Sequence, residues 1–115
     1  ERMLPTGTRP VEAALRDGIR LGDAKLDTGF TDLARDPDGR VRHSLTAPDG
    51  RRLTLWQGEG FDFVQVYTAT NYPGHDLAVA IEPMTAPADA FNSGLGVRRL
   101  APGETWTLDW GISLG

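Results

Sequence analysis

The chain has 115 residues, of which 39% are hydrophobic and 24% are charged, which is enough for one domain with a modest core. Its net charge of −4 argues against a nucleic-acid partner and against an anionic membrane surface. There is no cysteine, which excludes disulfides and thiolate metal sites and fits a reducing compartment. We therefore expect a cytoplasmic protein that binds neither nucleic acid nor membranes.

The first part of the chain predicts little regular structure. Apolar residues recur at helical spacing between residues 7 and 26, but Gly18 and Gly22 interrupt the pattern. We therefore expect an irregular segment that contains about one helical turn.

From Gly39 onward the pattern changes to short β-strands that are separated by glycine and proline. Apolar and polar residues alternate from Val41 to Leu55, and Asp49-Gly50 divides this stretch, which predicts a β-hairpin. The stretch from Phe61 to Thr68 is rich in aromatic and β-branched residues and predicts a central strand.

Two further strands are predicted toward the end of the sequence. Leu77 to Ile81 is almost wholly apolar, so we expect a strand that is buried on both faces and ends at Glu82-Pro83. Apolar residues occupy alternate positions from Trp106 to Leu114, after a Pro102-Gly103 turn, which predicts a half-buried strand. No linker or repeat divides residues 1–115. We therefore predict a single unit of all-β class, built from packed antiparallel strands.

Several kinds of active site find no support in the sequence. His43 and His75 match no metal-ligand spacing. We expect His43 to be a surface or cross-strand residue, and we expect His75 to be a turn residue. No serine lies in a Gly-x-Ser-x-Gly elbow, and the glycines at Gly94 and Gly96 precede no helix that could hold a phosphate. We expect no metal and no cofactor.

The stretch best suited to chemistry begins where the most apolar predicted strand ends. Glu82 lies at that point and is followed by a proline and by a polar loop that closes at Asn92-Ser93-Gly94. Catalytic side chains are often found at strand ends, where a carboxylate is partly desolvated and can act as a base. The competing interpretation is a glutamate that pairs with an arginine or faces water, and composition alone favours it.

Several segments, taken in order, match motifs of a known enzyme family. In the most specific of them, Val-Ala-Ile runs into Glu-Pro-Met-Thr, then a proline, then Asp-Ala-Phe-Asn. The matching segments are Leu4–Gly7, Lys25–Phe30, Val64–Thr68 with Asn71, Val79–Thr85 with Pro87 and Asp89–Asn92, Leu100–Gly103, and Trp106–Leu114. Together they resemble the C-terminal portion of the aldose 1-epimerases (mutarotases), in their bacterial branch. The resemblance implies a large antiparallel β-sandwich of the galactose mutarotase type, of which this chain would be the C-terminal part.

The resemblance also implies roles for four residues. Glu82 would be the general base that takes the proton of the anomeric hydroxyl, so that the sugar ring opens and recloses as the other anomer. Asp27 would accept hydrogen bonds from sugar hydroxyls, and the alternative for it is an Asx-turn before Gly29. Gln65 and Tyr67 share one strand face and would either line the site or stabilise the fold. The expected ligand is an aldose such as galactose or glucose.

One part of the family's site is missing from this sequence. The family's general-acid histidine and substrate-binding arginine lie upstream of the Leu4–Gly7 motif, and neither His43 nor His75 lies in a matching motif. A base without its acid is half of a coupled proton transfer, so we expect the isolated chain to be inactive or nearly so. Uncovered sheet edges would make the chain depend on a partner, either its missing N-terminal half or a second copy of itself.

Two other functions are compatible with these residues. A non-catalytic carbohydrate-binding or assembly module could use the same sandwich, because a fold does not fix a function, although such a module does not need Glu82. A sugar-phosphate mutarotase would need a basic cluster at the site. The neighbouring arginines of the Arg51-Arg52 and Arg98-Arg99 pairs are expected to point to opposite faces, which disfavours this reading.

Overall fold

A computed structural model describes residues 3–115, in which six β-strands, two short α-helices and one 3-10 turn are found. The strands are β1 (Asp27–Phe30), β2 (Val41–Thr46), β3 (Arg52–Gln57), β4 (Phe63–Ala69), β5 (Ala78–Met84) and β6 (Trp110–Leu114). The helices are α1 (Ala13–Asp17) and α2 (Ala90–Ser93), and the 3-10 turn covers Leu21–Asp23. Within residues 3–115, no helix has the length and apolar character that crossing a membrane requires.

The six strands form two antiparallel sheets of three strands each, which confirms the predicted all-β class. Sheet A has the order β1-β4-β5, and sheet B has the order β2-β3-β6. In each sheet two sequential strands form a hairpin, and the third strand comes from a distant part of the sequence. The result is a sandwich-like arrangement with four strand edges, which belong to β1, β5, β2 and β6.

The predicted hairpin is confirmed as β2 and β3. Val41 pairs with Gln57 at one end of the hairpin, and the turn at Asp49-Gly50 closes the other end. Gly50 has a φ of +86°, a left-handed conformation that glycine adopts without steric cost. The carboxylate of Asp49 accepts a hydrogen bond of 3.1 Å from the backbone N–H of Arg51 and so stabilises the turn.

The strand β4 is central in sheet A, as predicted, but two predictions about β5 are wrong. β5 continues through Pro83 to Met84 instead of ending at Glu82-Pro83, and none of its residues is buried. The physical reason is that β5 is an edge strand, so no further strand covers its outer side. Proline is tolerated in an edge strand because its missing N–H can face the free side, where no neighbouring strand would accept a hydrogen bond from it.

The two ends of the described chain differ from each other in how well they were predicted. The short helix α1 and the 3-10 turn confirm an irregular N-terminal segment with little helix. The last strand, β6, begins at Trp110, so Trp106 and Leu108 lie in irregular chain rather than in the predicted strand. It is also not half-buried, because Trp110, Ile112 and Leu114 are 56, 56 and 82% exposed. Nothing in residues 3–115 covers this edge of sheet B.

The hydrophobic core of the described chain is small. Val41, Leu55 and Val64 are its buried apolar residues, and they lie on one face of each sheet. The accessible surface is 9073 Å², nearly half as much again as the roughly 6,200 Å² expected for a compact protein of this mass. The radius of gyration is 15.8 Å, against about 13 Å for a compact domain of this length. Both numbers show that the chain is less compact than an ordinary domain of this size.

Gln57 joins the two sheets at the connection between β3 and β4. Its side chain is fully buried, and its Nε2 donates hydrogen bonds of 2.9 and 3.1 Å to the backbone oxygens of Phe61 and Phe63. Its Oε1 lies 2.9 Å from Nε2 of His43, and this ring nitrogen must be the donor because an amide oxygen only accepts. His43 is therefore a cross-strand residue, as predicted.

Arg35 makes a second link at the same connection. Its guanidinium donates hydrogen bonds to the backbone oxygens of Gly39, Gly58 and Phe61 and to the Asp62 carboxylate, at 2.8 to 3.2 Å. These acceptors belong to the β1–β2 connection and to the β3–β4 connection. A single planar, permanently charged group therefore holds the two connections against each other.

Candidate functional site

The four residues with implied roles lie on one face of sheet A. The cross-strand register places Gln65 opposite both Glu82 and Gly29, and it places Tyr67 opposite Asp27. Residues that are opposite each other in an antiparallel pair, or two apart in one strand, point to the same face. Asp27, Gln65, Tyr67 and Glu82 therefore share one surface, which we call the polar face of sheet A.

A direct hydrogen bond joins two members of the polar face. Nε2 of Gln65 donates to Oδ1 of Asp27 at 2.9 Å. Asp27 begins the strand β1, so the alternative of an Asx-turn at this residue is wrong. Oε1 of Gln65 lies only 3.0 Å from the place where a Cβ atom would be at Gly29. The absence of a side chain at Gly29 therefore gives the amide of Gln65 room beside β1.

The polar face is open to solvent in the described chain. Asp27, Glu82 and Tyr67 are exposed, and Gln65 is half-buried. None of the ion pairs found within residues 3–115 involves Glu82. Glu82 is exposed on this face, so the partial desolvation expected for it is not present here. As it stands, the face could bind a polar ligand but could not exclude water from it.

The loop after β5 returns to one end of the polar face. Gly96 packs against the ring of Phe63, which shares a face with Gln65, and against the backbone of Thr85 and Ala86. At the tip of this loop the ring of Phe91 is 98% exposed. The loop encloses an open groove of about 510 Å³ between Thr85, Phe91 and Trp106. Residue patterns alone could not place this loop, because its contact with Phe63 depends on the tertiary fold.

Neither histidine lies beside Glu82. His43 belongs to sheet B, where it bonds Gln57. His75 lies in the β4–β5 connection, with its ring centroid 5.9 Å from that of Tyr72. Glu82 is four residues along β5 from the first residue of that strand, a distance of roughly 13 Å at the usual strand rise. His75 and Glu82 are therefore at opposite ends of β5. No group of three or more His, Asp or Glu side chains within residues 3–115 is arranged to hold a metal ion.

The strongest ion-pair cluster lies on sheet B, away from the polar face. Arg42 bonds the carboxylates of Asp36 and Asp38, at 2.5 and 2.6 Å. The hydrogen bond from Arg42, and then that from the backbone N–H of Arg40, lower the pKa of Asp38 from 3.8 to about 2. The same carboxylates raise the pKa of Arg42 above its usual range. This cluster fixes the β1–β2 connection to the edge strand β2, which is a structural role.

Fold and site together define an all-β protein of two antiparallel sheets, one of which carries an exposed face with two carboxylates, an amide and a phenol. No family model, no curated protein and no solved structure matches the chain. The residues of the polar face, and the sequence motifs that contain them, are therefore the features that point to a function.

Proposed function

We propose that the chain is the C-terminal part of an aldose 1-epimerase and that the polar face of sheet A binds the sugar. The observation that carries the proposal is the cross-strand placement of Glu82 beside Gln65, which in turn is hydrogen-bonded to Asp27. These residues come from three different motifs, and Asp27 and Glu82 are more than 50 positions apart in the sequence. The sheet nevertheless brings them to one surface. A convergence of this kind supports a shared ligand.

The groups on the polar face suit a sugar ring. Asp27 is an acceptor for sugar hydroxyls, and Gln65 keeps its Oε1 as an acceptor while its Nε2 bonds Asp27. Tyr67 offers a hydroxyl and an aromatic ring, which can contact the C–H face of a sugar. A polyhydroxylated ligand needs this mixture of acceptors, donors and flat apolar surface.

Glu82 would act as the general base of the reaction. Its carboxylate takes the proton of the anomeric hydroxyl, the C1–O bond of the ring breaks, and C1 becomes an aldehyde carbon. Rotation about the bond to C1 and attack of the ring hydroxyl on the other side of the carbonyl then give the other anomer. The ring oxygen must receive a proton when the bond breaks, and Glu82 cannot donate it in the same step.

The isolated chain should therefore catalyse this reaction poorly. General-base assistance contributes about 10²- to 10⁴-fold in rate, but here it would act without the coupled acid and in an open, solvated site. We expect the rate of anomer interconversion, followed by polarimetry of α-galactose, to be close to that of buffer.

Sugar binding is the first test. We expect a galactose titration followed by two-dimensional amide NMR to shift signals of β1, β4 and β5 on the polar face. Glu82→Gln and Asp27→Asn should each weaken these shifts. Asp49→Asn, the same chemical change at the distant β2–β3 turn, should not. If galactose shifts no signals, or only signals of sheet B, the polar face is not the sugar site.

The base role of Glu82 is tested by supplying the missing acid from solution. Imidazole titrates near neutral pH and can donate a proton to the ring oxygen. At equal imidazole concentration, the chain should increase the rate of mutarotation above that of imidazole alone, and Glu82→Gln should remove this increase. Glu59→Gln, a change at an exposed turn residue, is the matched control and should retain it.

A carbohydrate-binding or assembly module is the second candidate, and the exposure of Glu82 together with the large uncovered sheet surface favours it. Such a module would bind galactose on the polar face, but the rate with imidazole would be the same for the chain and for Glu82→Gln. The titration and the rate measurement together distinguish the two candidates.

A further inference from the structure

Thr68 belongs to the Val64–Thr68 motif but lies off the polar face of sheet A. It follows Tyr67 in β4, and successive residues of a strand point to opposite faces. Its side chain is half-buried, and its hydroxyl bonds the chain just before β1, 42 positions away in the sequence. Any effect of Thr68 on the polar face must therefore be exerted through β1.

The hydroxyl of Thr68 completes the pairing of β4 with the residue that precedes β1. The register of the two strands extends by one pair, to Leu26 and Thr68. In a bonded antiparallel pair, the two residues normally exchange two backbone hydrogen bonds. Here the N–H of Thr68 donates to the backbone oxygen of Leu26 at 2.8 Å, but the N–H of Leu26 donates to Oγ1 of Thr68 at 2.9 Å. A side-chain oxygen therefore takes the place of a backbone oxygen.

The same hydroxyl also lies close to two backbone oxygens. Oγ1 of Thr68 is 3.4 Å from the oxygen of Leu26 and 3.5 Å from that of Ala24, and its single proton can be donated to one of them at a time. Ala24 ends the 3-10 turn, where its N–H donates to the oxygen of Leu21 at 3.0 Å. The hydroxyl therefore joins both the end of this turn and the start of β1 to β4.

Asp27 depends on this pairing because its own backbone makes no hydrogen bond with β4. Bonded and non-bonded pairs alternate in an antiparallel ladder, so the bonded pair of Leu26 and Thr68 makes the next pair, which contains Asp27, non-bonded. The N–H and C=O of Asp27 point instead toward the free edge of sheet A. The backbone position of Asp27 is therefore set by the pairs on either side of it, which contain Leu26 and Thr28.

We propose that Thr68 is a positioning residue that places the Asp27 carboxylate for sugar binding, an inference that rests on the proposed function. Without the hydroxyl, the N–H of Leu26 would lose its partner, and a single backbone hydrogen bond would hold Leu26 to β4. Asp27 follows directly, so its carboxylate would be held less firmly beside Gln65, to which it is bonded at 2.9 Å. A site whose groups are ordered in advance binds its ligand more tightly than one that must order them on binding.

The first experiment measures the affinity for galactose by NMR titration. Thr68→Val removes the hydroxyl but keeps a β-branched side chain, and we expect the dissociation constant to rise about threefold to tenfold, as for the loss of one hydrogen bond. Thr68→Ser keeps a hydroxyl and should bind as wild type does. Thr54→Val, at a half-buried position in β3 of sheet B, is the matched control and should leave the affinity unchanged. Wild-type affinity in Thr68→Val, or a loss that Thr68→Ser shares, would overturn the proposal.

The second experiment tests the placement of Asp27 without any sugar. In Thr68→Val the backbone amide of Leu26 should exchange its hydrogen faster, relative to the amides of Thr28 and of sheet B, and the side-chain amide signals of Gln65 should shift. An equal acceleration at all amides would show a general loss of stability and would overturn the proposal. If the local changes appear but the wild-type chain binds no galactose, the proposed function fails, while the placement of Asp27 by Thr68 stands.

Discussion

Gln57 is the fully buried polar residue of the described chain, and every polar atom of its side chain is bonded. We expect Gln57→Leu to lower the free energy of unfolding by about 2–4 kcal/mol, because the backbone oxygen of Phe63 and the ring nitrogen of His43 lose the buried amide as a partner, while the backbone oxygen of Phe61 keeps only its bond from Arg35. Urea denaturation measures the change. Gln65→Leu, the same substitution at a half-buried position, is the control and should cost less than half as much. Equal losses would show that burial does not set the cost.

Asp38 links stability to pH through its ion pair with Arg42. The pKa of its carboxyl is lowered from 3.8 to about 2 in the folded chain, so ionisation of Asp38 stabilises the fold. This stabilisation is complete above about pH 4, and it is lost as the pH falls toward 2 and the carboxylate of Asp38 takes up a proton. The free energy of unfolding of wild type should therefore exceed that of Asp38→Asn at pH 7, and the difference should shrink between pH 4 and 2.

Urea denaturation at a series of pH values tests this expectation. Asp76→Asn, at an exposed position in the β4–β5 connection, is the control, and its difference from wild type should vary less over the same range. A difference for Asp38→Asn that stays constant down to pH 2 would mean that the ionised carboxylate is not the cause.

Between elements, the contact of β1 with β4 sets the geometry of the polar face. A Cβ atom at Gly29 would lie 3.0 Å from Oε1 of Gln65, so Gly29→Ala should displace this amide and weaken its bond to Asp27. We expect the affinity for galactose to fall severalfold, which is about the effect of losing one hydrogen bond. The loss of stability should be small, because the amide is only half-buried and can move.

The NMR titration measures galactose binding, and thermal unfolding measures stability. Gly22→Ala is the matched control, since nothing lies within 4 Å of a Cβ atom at that position. Unchanged binding in Gly29→Ala would mean that the position of Gln65 does not matter for the sugar.

The sequence was a good guide to those elements whose cause is local. The β2–β3 hairpin follows from alternation around Asp49-Gly50, and the central strand β4 follows from its β-branched and aromatic residues. The predicted burial of β5 and β6 was wrong, because the burial of a strand depends on its neighbours in the folded protein. An apolar strand looks the same in a sequence whether it lies at the centre or at the edge of a sheet.

The candidate site was predictable only as a set of residues, not as an arrangement. Motifs named Asp27, Gln65, Tyr67 and Glu82, but only the register of three strands shows that they share a face. The strand at Asp27 was not predicted, because four residues interrupted by Gly29 are too few to show a period. The ion pairs of Arg42 were also missed, since they depend on how the β1–β2 connection folds back.

At the scale of the whole molecule, the chain buries less surface than its mass allows. An unfolded chain of this mass exposes about 18,000 Å², and a compact protein exposes roughly 6,200 Å². With 9073 Å² accessible, the folded chain buries about three quarters of the usual area.

The dependence of unfolding free energy on urea should show this difference. The slope m is proportional to the surface exposed on unfolding, so we expect the monomer to have an m about a quarter lower than usual for its size. Far-UV circular dichroism at low protein concentration measures it. An ordinary slope would mean that the solution state is more compact than the structure.

The order of strands in sheet B also has a kinetic consequence. β2 and β3 are neighbours in sequence and can pair in microseconds, whereas β6 must close a loop of about fifty residues before it reaches β3. Substitutions in the hairpin should therefore slow folding, and substitutions in β6 should mainly speed unfolding. Until β6 is in place, Leu53 and Leu55 have no partner on that side, and the edge of β3 is the part of the folding chain most open to misassembly.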